Sequence, residues 1–274
     1  MNVELVQLAG RDGDTAYNLA RTLEAIRACA PGTDLVVFPE TQLMGFPTAR
    51  NIAHLAEPLD GPTLTAVTQA AQEKNLGVVV GLAEVGDDGH FYNTTVLVTP
   101  EGIALIYRKT HLWASDKGIF SAGDRYATTL FKGVRVGLLV CFDIEFPESA
   151  RALGELGADL ILVTNGNMDP YGPTHRTAIS ARAMENQAYA VMVNRVGAGD
   201  GDLVFAGGSA VVDPYGQVLC EAGREPCRLR MTLDLARVQE ARQDYSYLAE
   251  RRVMLPGRRV EHASGLRELL IQTR

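Results

Sequence analysis

Residues 134–148 of this 274-residue chain read VRVGLLVCFDIEFPE. The apolar run from Val134 to Val140 predicts a buried strand. This pattern stops at Cys141, after which the chain becomes acidic and reaches Pro147. A thiol at the end of a central strand of an α/β protein is held rigidly, as a nucleophile must be. The alternative is that Cys141 is a small buried hydrophobe, as most free cysteines are.

The chain around this stretch alternates between short apolar runs and segments with helical spacing. The apolar runs predict strands, and the segments whose apolar residues recur every three or four positions predict amphipathic helices. Proline and glycine pairs and the PEG turn at 100–102 indicate hairpins between some strands. This order predicts a layered α/β domain with mixed sheets. Predicted strands lie at 3–8, 35–38, 77–83, 92–98, 103–107, 134–140, 159–164, 190–194 and 229–233, and predicted helices at 15–29, 64–73, 149–156, 174–187 and 234–243.

Composition and charge exclude several classes of protein. The chain is 46% hydrophobic and 22% charged, which is typical of a globular protein rather than a disordered one. Its formal net charge of −7 argues against nucleic acid or an anionic membrane as the main partner, because both require a basic surface. We therefore expect no nucleic acid and no membrane among its partners.

Four cysteines, Cys29, Cys141, Cys220 and Cys227, are few for this length and form no C-x-x-C pair. This pattern predicts neither a disulfide framework nor a zinc cluster. It does predict a reducing compartment. The first residues, MNVELVQLAG, lack the basic and apolar regions of a signal peptide, and no apolar run reaches the length of a membrane span. These features predict a cytoplasmic protein.

Glu40, Lys109 and Cys141 each follow a predicted strand, so that sheet pairing can bring them together. The three types form a complete chemical set. A thiol is a good nucleophile only as thiolate, a glutamate can accept its proton and return it to a leaving amine, and a lysine can stabilise an oxyanion. Taken singly, each has an ordinary interpretation: Glu40 as an exposed turn residue, Lys109 as a surface charge and Cys141 as a core residue.

A cysteine–histidine arrangement is the competing interpretation. His111 is the best-placed histidine, but it lies two residues from Lys109 and would share a face with it on an extended strand. It is therefore interpreted as a structural residue. The remaining histidines, with no convergent polar residues in the sequence around them, are His54, His90, His175 and His262.

Three segments, VVFPE (36–40), YRKTHL (107–112) and GLLVCFDIEFPE (137–148), carry a family resemblance. They resemble, in order and spacing, the three signature blocks of the nitrilase superfamily, the carbon–nitrogen hydrolases. The resemblance extends from about residue 3 to residue 255. It implies one domain over residues 1–274, folded as a four-layer α-β-β-α sandwich with mixed sheets. It also implies a homodimer or higher homo-oligomer, with the tail from about 245 to 274 packing on a partner subunit.

The resemblance also implies roles for particular residues. Glu40 would be the general base, Lys109 the oxyanion stabiliser and Cys141 the nucleophile, with the backbone N–H of Phe142 as a second oxyanion donor. Neither a metal nor an organic cofactor is implied. The family often has a second glutamate shortly after the lysine block, and here Asp116 stands at that position with a side chain shorter by one methylene.

The residues after the nucleophile bear on the substrate. Glu145 stands where relatives that act on α-keto acid amides tend to carry an arginine, which would bind a carboxylate. The reversed charge disfavours an acidic substrate and is compatible with a neutral or amine-bearing one. The alternative is a structural carboxylate bonded to backbone or to Arg151. The segment 164–171, which contains Asn167 and Met168, resembles the loop of amidases acting on aliphatic and ω-amino amides.

The sequence thus predicts an amidase that converts a small aliphatic carboxamide and water to the acid and ammonia through a thioester. The alternatives within the superfamily are a nitrilase and an N-carbamoyl-amine amidohydrolase. From another class, the alternative is a non-catalytic binding or assembly protein. The complete set of Glu40, Lys109 and Cys141 argues against that last possibility.

Overall fold

The computed structural model describes residues 1–272. The helices are Thr15–Arg27 (α1), Ile52–Leu55 (α2), Pro62–Lys74 (α3), Pro147–Glu155 (α4), Gly172–Asn186 (α5), Ala236–Gln243 (α6) and Tyr247–Glu250 (α7). The strands are Asn2–Gln7 (β1), Leu35–Val37 (β2), Gly77–Val85 (β3), Phe91–Thr99 (β4), Gly102–Arg108 (β5), Arg125–Phe131 (β6), Val134–Val140 (β7), Leu160–Asn165 (β8), Tyr189–Asn194 (β9), Val196–Ala198 (β10), Val204–Ala206 (β11), Ala210–Val212 (β12), Val218–Glu221 (β13), Cys227–Thr232 (β14), Arg258–Glu261 (β15) and Arg267–Leu270 (β16).

Two mixed sheets form the centre of the molecule. The first has six strands in the order β14-β1-β2-β3-β4-β5, with β1, β2 and β3 parallel. The second has eight strands in the order β13-β12-β9-β8-β7-β6-β16-β15, with β7, β8 and β9 parallel. Strands β2, β7, β8 and β9 are buried along their whole length, as expected where both faces of a sheet are covered.

Helices cover the outer face of each sheet. Helices α1 and α3 pack on the first sheet, and α4 and α5 on the second. One apolar cluster joins residues of both sheets, such as Leu5 and Val37 from the first and Leu138 and Val163 from the second. The order of layers is therefore α-β-β-α with mixed sheets, as predicted.

Most predicted elements occur within two residues of their expected bounds, because long buried apolar runs identify central strands well. The strand β6 was not predicted. Its residues Arg125–Phe131 mix polar and apolar types, and it lies next to β16 rather than in the parallel centre of the sheet.

No strand was predicted in the tail, but the structure has two there. Strands β15 and β16 form a hairpin that pairs with β6 of the same chain. Arg251 and Arg259 both bind the buried carboxylate of Glu155, which fixes the tail to the end of α4. Packing of the tail on a partner subunit stays a prediction, and residues 273 and 274 of that predicted tail lie outside the described residues.

Across residues 1–272, no helix has the length and apolar character to cross a membrane. In the same range, no group of three or more histidine, cysteine, aspartate or glutamate side chains is arranged to hold a metal ion.

Candidate active site

Glu40, Lys109 and Cys141 line one cavity of about 740 Å³. Glu40 follows β2 and Lys109 follows β5, so both come from the first sheet, whereas Cys141 follows β7 in the second. The expectation that the three residues meet through strand pairing was therefore wrong for Cys141. It meets the other two because the sheets pack face to face.

The Lys109 ammonium lies between two carboxylates. Its Nζ donates to Glu40 Oε1 at 2.7 Å and to Asp116 Oδ2 at 2.7 Å. The Glu40 oxygen also accepts from Asn93 Nδ2 at 2.7 Å, and the Asp116 oxygen accepts from Trp113 N–H at 3.0 Å. An ammonium has three N–H donors, so one remains for a further acceptor. The aspartate at 116 thus reaches Lys109 despite its shorter side chain.

Cys141 occupies a strained backbone position at the end of β7. Its φ is +44°, a left-handed value that non-glycine residues rarely adopt. A short 3₁₀ turn, Cys141–Glu145, begins there. A strained residue at the point where a strand gives way to a turn projects its side chain from the sheet end, and here the thiol faces Glu40 and Lys109.

Asp143 joins the turn that carries Cys141 to the segment that carries Lys109. Its carboxylate accepts from Val140 N–H at 3.1 Å and from Tyr107 Oη at 2.9 Å. It also accepts from Thr110 Oγ1 at 2.9 Å and from His111 N–H at 2.9 Å. His111 Nδ1 is 3.0 Å from the same carboxylate, which places this histidine in a structural network behind the cavity.

Burial and neighbouring charges set the protonation of the cluster. Burial, and then the charge of Glu40, raise the pKa of the Cys141 thiol well above its ordinary value, although Lys109 opposes them. Burial and the charge of Asp116 raise the pKa of Glu40, with Lys109 again opposing. Burial lowers the pKa of Lys109, but the two carboxylates outweigh it and hold that pKa well above its usual value. The resting thiol is therefore neutral, and the Glu40 carboxyl group lies beside it.

Gly166 brings backbone against the thiol. Its N–H donates toward the Cys141 sulfur. A Cβ at this position would lie 2.7 Å from Glu40 Oε2 and would also meet the ring of Phe46, so the approach requires a glycine. Neither Gly166 nor Asn93 was a predicted site residue. The glycine, between Asn165 and Asn167 after an apolar strand, was the available signal.

The remaining predicted residues line the same cavity: Asp116, Phe142, Glu145, Asn167 and Met168. The backbone of Asn167 is fixed by Asn194, whose Oδ1 accepts its N–H at 2.8 Å. Met168 pairs with Phe205 of β11 in an isolated bridge. The structure thus brings every predicted site residue to one cavity.

The partner of Glu145 differs from the expectation. Arg151, the proposed structural partner, binds Glu185 and its carbonyl instead. Glu145 Oε1 lies 2.9 Å from Nε2 of His175, a buried residue of α5. The interpretation of His175 as lacking convergent polar groups was therefore wrong, because Glu145 and His175 are 30 positions apart in sequence and meet only through the fold.

One wall of the cavity was not predicted at all. Arg195 is buried, donates to Asp12 Oδ1 at 2.5 Å and to Gly10 O at 2.8 Å, and lies against the rings of Phe46 and Phe205. These residues come from the loops after β1, β2 and β9 and from β11. No local pattern marks them, because each becomes part of the wall only through contacts that are distant in sequence.

Comparison with known proteins gives one family. The model of the carbon–nitrogen hydrolase family matches residues 2–243. An (R)-stereoselective amidase of a Pseudomonas species is 64% identical over 271 residues, which covers 99% of this chain and 98% of the relative. An omega-amidase of Mus musculus is 30% identical over 250 residues, covering 87% of this chain and 90% of the relative.

Solved structures agree with these relatives. A carbon–nitrogen hydrolase superfamily protein of Xanthomonas campestris, which carries an arsenic adduct in its active site, matches with a TM-score of 0.86 at 27% identity, over 94% of this chain and 99% of that one. An amidase of a Nesterenkonia species matches with a TM-score of 0.81 at 29% identity, over 92% and 93% of the two chains.

A variant of the Nesterenkonia amidase shows the result of Michael addition of acrylamide at its active-site cysteine, with a TM-score of 0.81, 28% identity and coverage of 92% and 96%. The match of the family model over most of the chain, the identity to an amidase and the shared α-β-β-α fold lead to one assignment. This chain belongs to the carbon–nitrogen hydrolase family.

Proposed function

We propose that this enzyme is an amidase that hydrolyses a small aliphatic carboxamide, neutral or amine-bearing, to the acid and ammonia through a thioester on Cys141. The observation that carries the proposal is the buried cluster in which Lys109 bridges Glu40 and Asp116 beside a neutral thiol on a strained turn. The 64% identity to an (R)-stereoselective amidase supports the same reaction class.

In the first half of the reaction, the Cys141 sulfur adds to the amide carbonyl carbon. Glu40 takes the thiol proton as the S–C bond forms, which provides the thiolate that the raised thiol pKa otherwise disfavours. The free N–H of Lys109 and the backbone N–H of Phe142 stabilise the oxyanion. Glu40 then gives its proton to the leaving nitrogen, the C–N bond breaks, and ammonia departs.

In the second half, water attacks the thioester. Glu40 again takes a proton, now from the water, and the tetrahedral intermediate forms in the same oxyanion site. The C–S bond breaks, the sulfur regains its proton from Glu40, and the acid is released. Asp116 holds the Lys109 ammonium in place through both halves, with the 2.7 Å hydrogen bond described above.

The acyl part of the substrate is assigned to the part of the cavity lined by Glu145, Asn167 and Met168. At about 740 Å³, the cavity exceeds what the amide group alone needs and leaves room for an aliphatic chain. Glu145 disfavours a substrate carboxylate there, because two like charges at short range repel each other.

Release of ammonia from butyramide, 5-aminovaleramide and a glutaramate tests the proposal. We expect hydrolysis of the first two by the wild-type enzyme and loss of at least about 10³-fold in kcat for Cys141→Ala, since no other group forms the thioester. If the glutaramate is the best substrate by a wide margin, the assignment of Glu145 is wrong. If Cys141→Ala keeps full activity on every amide, the proposed thioester on Cys141 is wrong.

The other family activities give distinct products. An N-carbamoyl-amine amidohydrolase would release carbon dioxide together with ammonia from a ureido compound. A nitrilase would convert a nitrile to the acid without a free amide. Neither is favoured by a particular contact in the cavity.

We also propose that the enzyme is a homodimer or higher homo-oligomer, acts on an amide and water rather than on nucleic acid or a membrane, and resides in the cytoplasm. A patch of exposed apolar and aromatic side chains supports self-association: Met184, Tyr215, Tyr245 and Tyr247. The four cysteines are free, which agrees with a reducing compartment.

A further inference from the structure

Glu145 presents one free carboxylate oxygen to the cavity. Its Oε1 accepts from His175 Nε2 at 2.9 Å, while about a quarter of its side chain, 26%, stays exposed. The His175 side chain behind it is only 3% exposed. The histidine therefore anchors one oxygen from the rear and leaves the other oxygen open to the space that the substrate occupies.

Burial raises the pKa of Glu145, so its ionised form needs a cationic partner. Burial, and then the charge of Lys109, lower the pKa of His175 to about 4, so the imidazole is neutral near neutral pH. Within residues 1–272, Glu145 makes an ion-pair contact with His175 and with no lysine or arginine. Arg151 and Arg182 bind Glu185 instead, and Arg176, the residue after His175, binds Glu221.

Three of the other carboxylates that line the cavity are bonded to cations, and the fourth, Asp200, is exposed to solvent. Glu40 and Asp116 share the ammonium of Lys109, and Asp12 binds Arg195. Glu145 thus stands out as a carboxylate of this wall that is held by a neutral donor. A cation in the cavity would find its complementary charge there.

Aromatic rings line the same cavity as Glu145. Trp113 packs edge-on against Phe142 and Tyr171, with ring centroids 5.0 and 5.5 Å apart, and all three rings line the cavity. Aromatic rings attract cations through their faces and also cover aliphatic carbons. A carboxylate beside aromatic rings is a recurring arrangement for binding an organic ammonium group.

We propose that Glu145, positioned by His175, binds a protonated amino group on the acyl chain of the substrate, with the carbons of that chain against Trp113 and Phe142. This inference rests on the proposed amidase function and narrows it from neutral or amine-bearing amides to amine-bearing ones. Glu145 contacts the substrate, whereas His175 is a positioning residue that acts through Glu145.

Pairs of amides that differ only in the terminal group test the proposal. 3-Aminopropanamide is compared with butanamide, 4-aminobutanamide with pentanamide, and 5-aminopentanamide with hexanamide, by ammonia release at pH 7, where the amines are protonated. For at least one chain length, we expect kcat/KM to favour the amine by about 10- to 100-fold, as for a charge-assisted hydrogen bond. The chain length with the largest ratio of kcat/KM, amine over matched amide, is the one that best spans the distance from Cys141 to Glu145.

Variants locate the effect. Glu145→Gln should reduce the ratio to below about threefold, because kcat/KM falls more for the amine than for the amide of the same length that lacks it. His175→Gln, which keeps an N–H donor for Glu145, should retain most of the ratio, whereas His175→Leu should lower it. Glu148→Gln, an exposed carboxylate in the first turn of α4, is the matched control and should leave the ratio unchanged.

The outcomes separate this inference from the amidase proposal. If the enzyme hydrolyses both members of every pair equally well, or if Glu145→Gln keeps the preference, amine recognition by Glu145 is wrong and the amidase proposal stands. If no amide of either kind releases ammonia, the amidase proposal itself fails.

Discussion

At the scale of single residues, the proposed mechanism assigns the nucleophile to Cys141 and the base to Glu40. The burial that raises the thiol pKa also prevents a resting thiolate, so the reaction depends on an ionised Glu40 at the moment of attack. The types and order of these residues were predictable from sequence. The charge balance was not, because it depends on Asp116 accepting from Lys109 and on Asn93 donating to Glu40.

The fall of kcat/KM on the acid side of its pH profile should reflect the protonation of Glu40. Burial and then the Asp116 charge raise the pKa of Glu40, so activity should fall as pH decreases through a value above that of an ordinary glutamate, about 4.3. In Asp116→Asn, the repelling charge is gone, and this fall should shift to lower pH. Asp116→Glu, which keeps the charge, is the control. A fall that stays in place or moves to higher pH in Asp116→Asn would contradict this assignment.

His175 should make stability depend on pH. Its pKa is about 4 in the folded protein, against an ordinary value of 6.5. As the pH falls, the unfolded chain therefore binds a proton at this histidine before the folded protein does. The stability that this group contributes is complete above about pH 6.5 and is lost as the pH falls toward 4. The difference between the two pKa values corresponds to roughly 3 kcal/mol of unfolding free energy at most. Urea unfolding of wild type and His175→Gln at pH 7.5 and pH 4.5 measures it: the variant should lose less stability between the two. Equal losses would show that His175 titrates normally.

At the scale of elements, strand ends place the site. Apolar runs predicted β2, β5 and β7 and therefore the residues that follow them, since a buried strand is recognisable from its own sequence. Which sheet each strand joins was not recognisable, because sheet order is set by contacts between distant segments. For the same reason, the alignment of β7 opposite the first sheet, and hence the meeting of Cys141 with Glu40, appeared only in the structure.

Strand β3 supports Glu40 through Gly81. A Cβ at Gly81 would lie 2.5 Å from Thr41 N and 3.2 Å from the Glu40 backbone, which no rotamer change can relieve. Gly81→Ala should cost about 1–3 kcal/mol of stability and, by displacing Glu40, lower kcat/KM at least about 10-fold. Gly223→Ala, where a Cβ meets open space, is the control for urea unfolding and kinetics. Wild-type activity in Gly81→Ala would show that Glu40 tolerates the shift.

At the scale of the whole molecule, the outer faces differ. Helix α1 has charged pairs such as Arg21–Glu24 on its surface, whereas the patch at Met184, Tyr215, Tyr245 and Tyr247 is apolar and aromatic. The family resemblance predicted self-association and a tail that contributes to it. The sequence did not reveal the β15–β16 hairpin, because strands of four residues show little apolar periodicity.

The patch predicts a concentration-dependent change in mass. Light scattering should give a dimer or larger species for the wild-type protein, and Met184→Glu with Tyr245→Glu should shift the mass toward the monomer by placing charge in a buried interface. Ala20→Glu, on the exposed surface of α1, should leave the mass unchanged. A wild-type monomer at all concentrations, or an unchanged oligomer in the double variant, would overturn this proposal.

The thioester on Cys141 is the central claim, and intact-protein mass spectrometry of acid-quenched turnover tests it most directly. With an amide in excess, the account predicts a species heavier by the acyl group, located on the peptide that contains Cys141 and missing in Cys141→Ala. It also predicts that the adduct disappears as ammonia release ends. Hydrolysis of the amide at the wild-type rate with no adduct, or with an adduct on another residue, would contradict it.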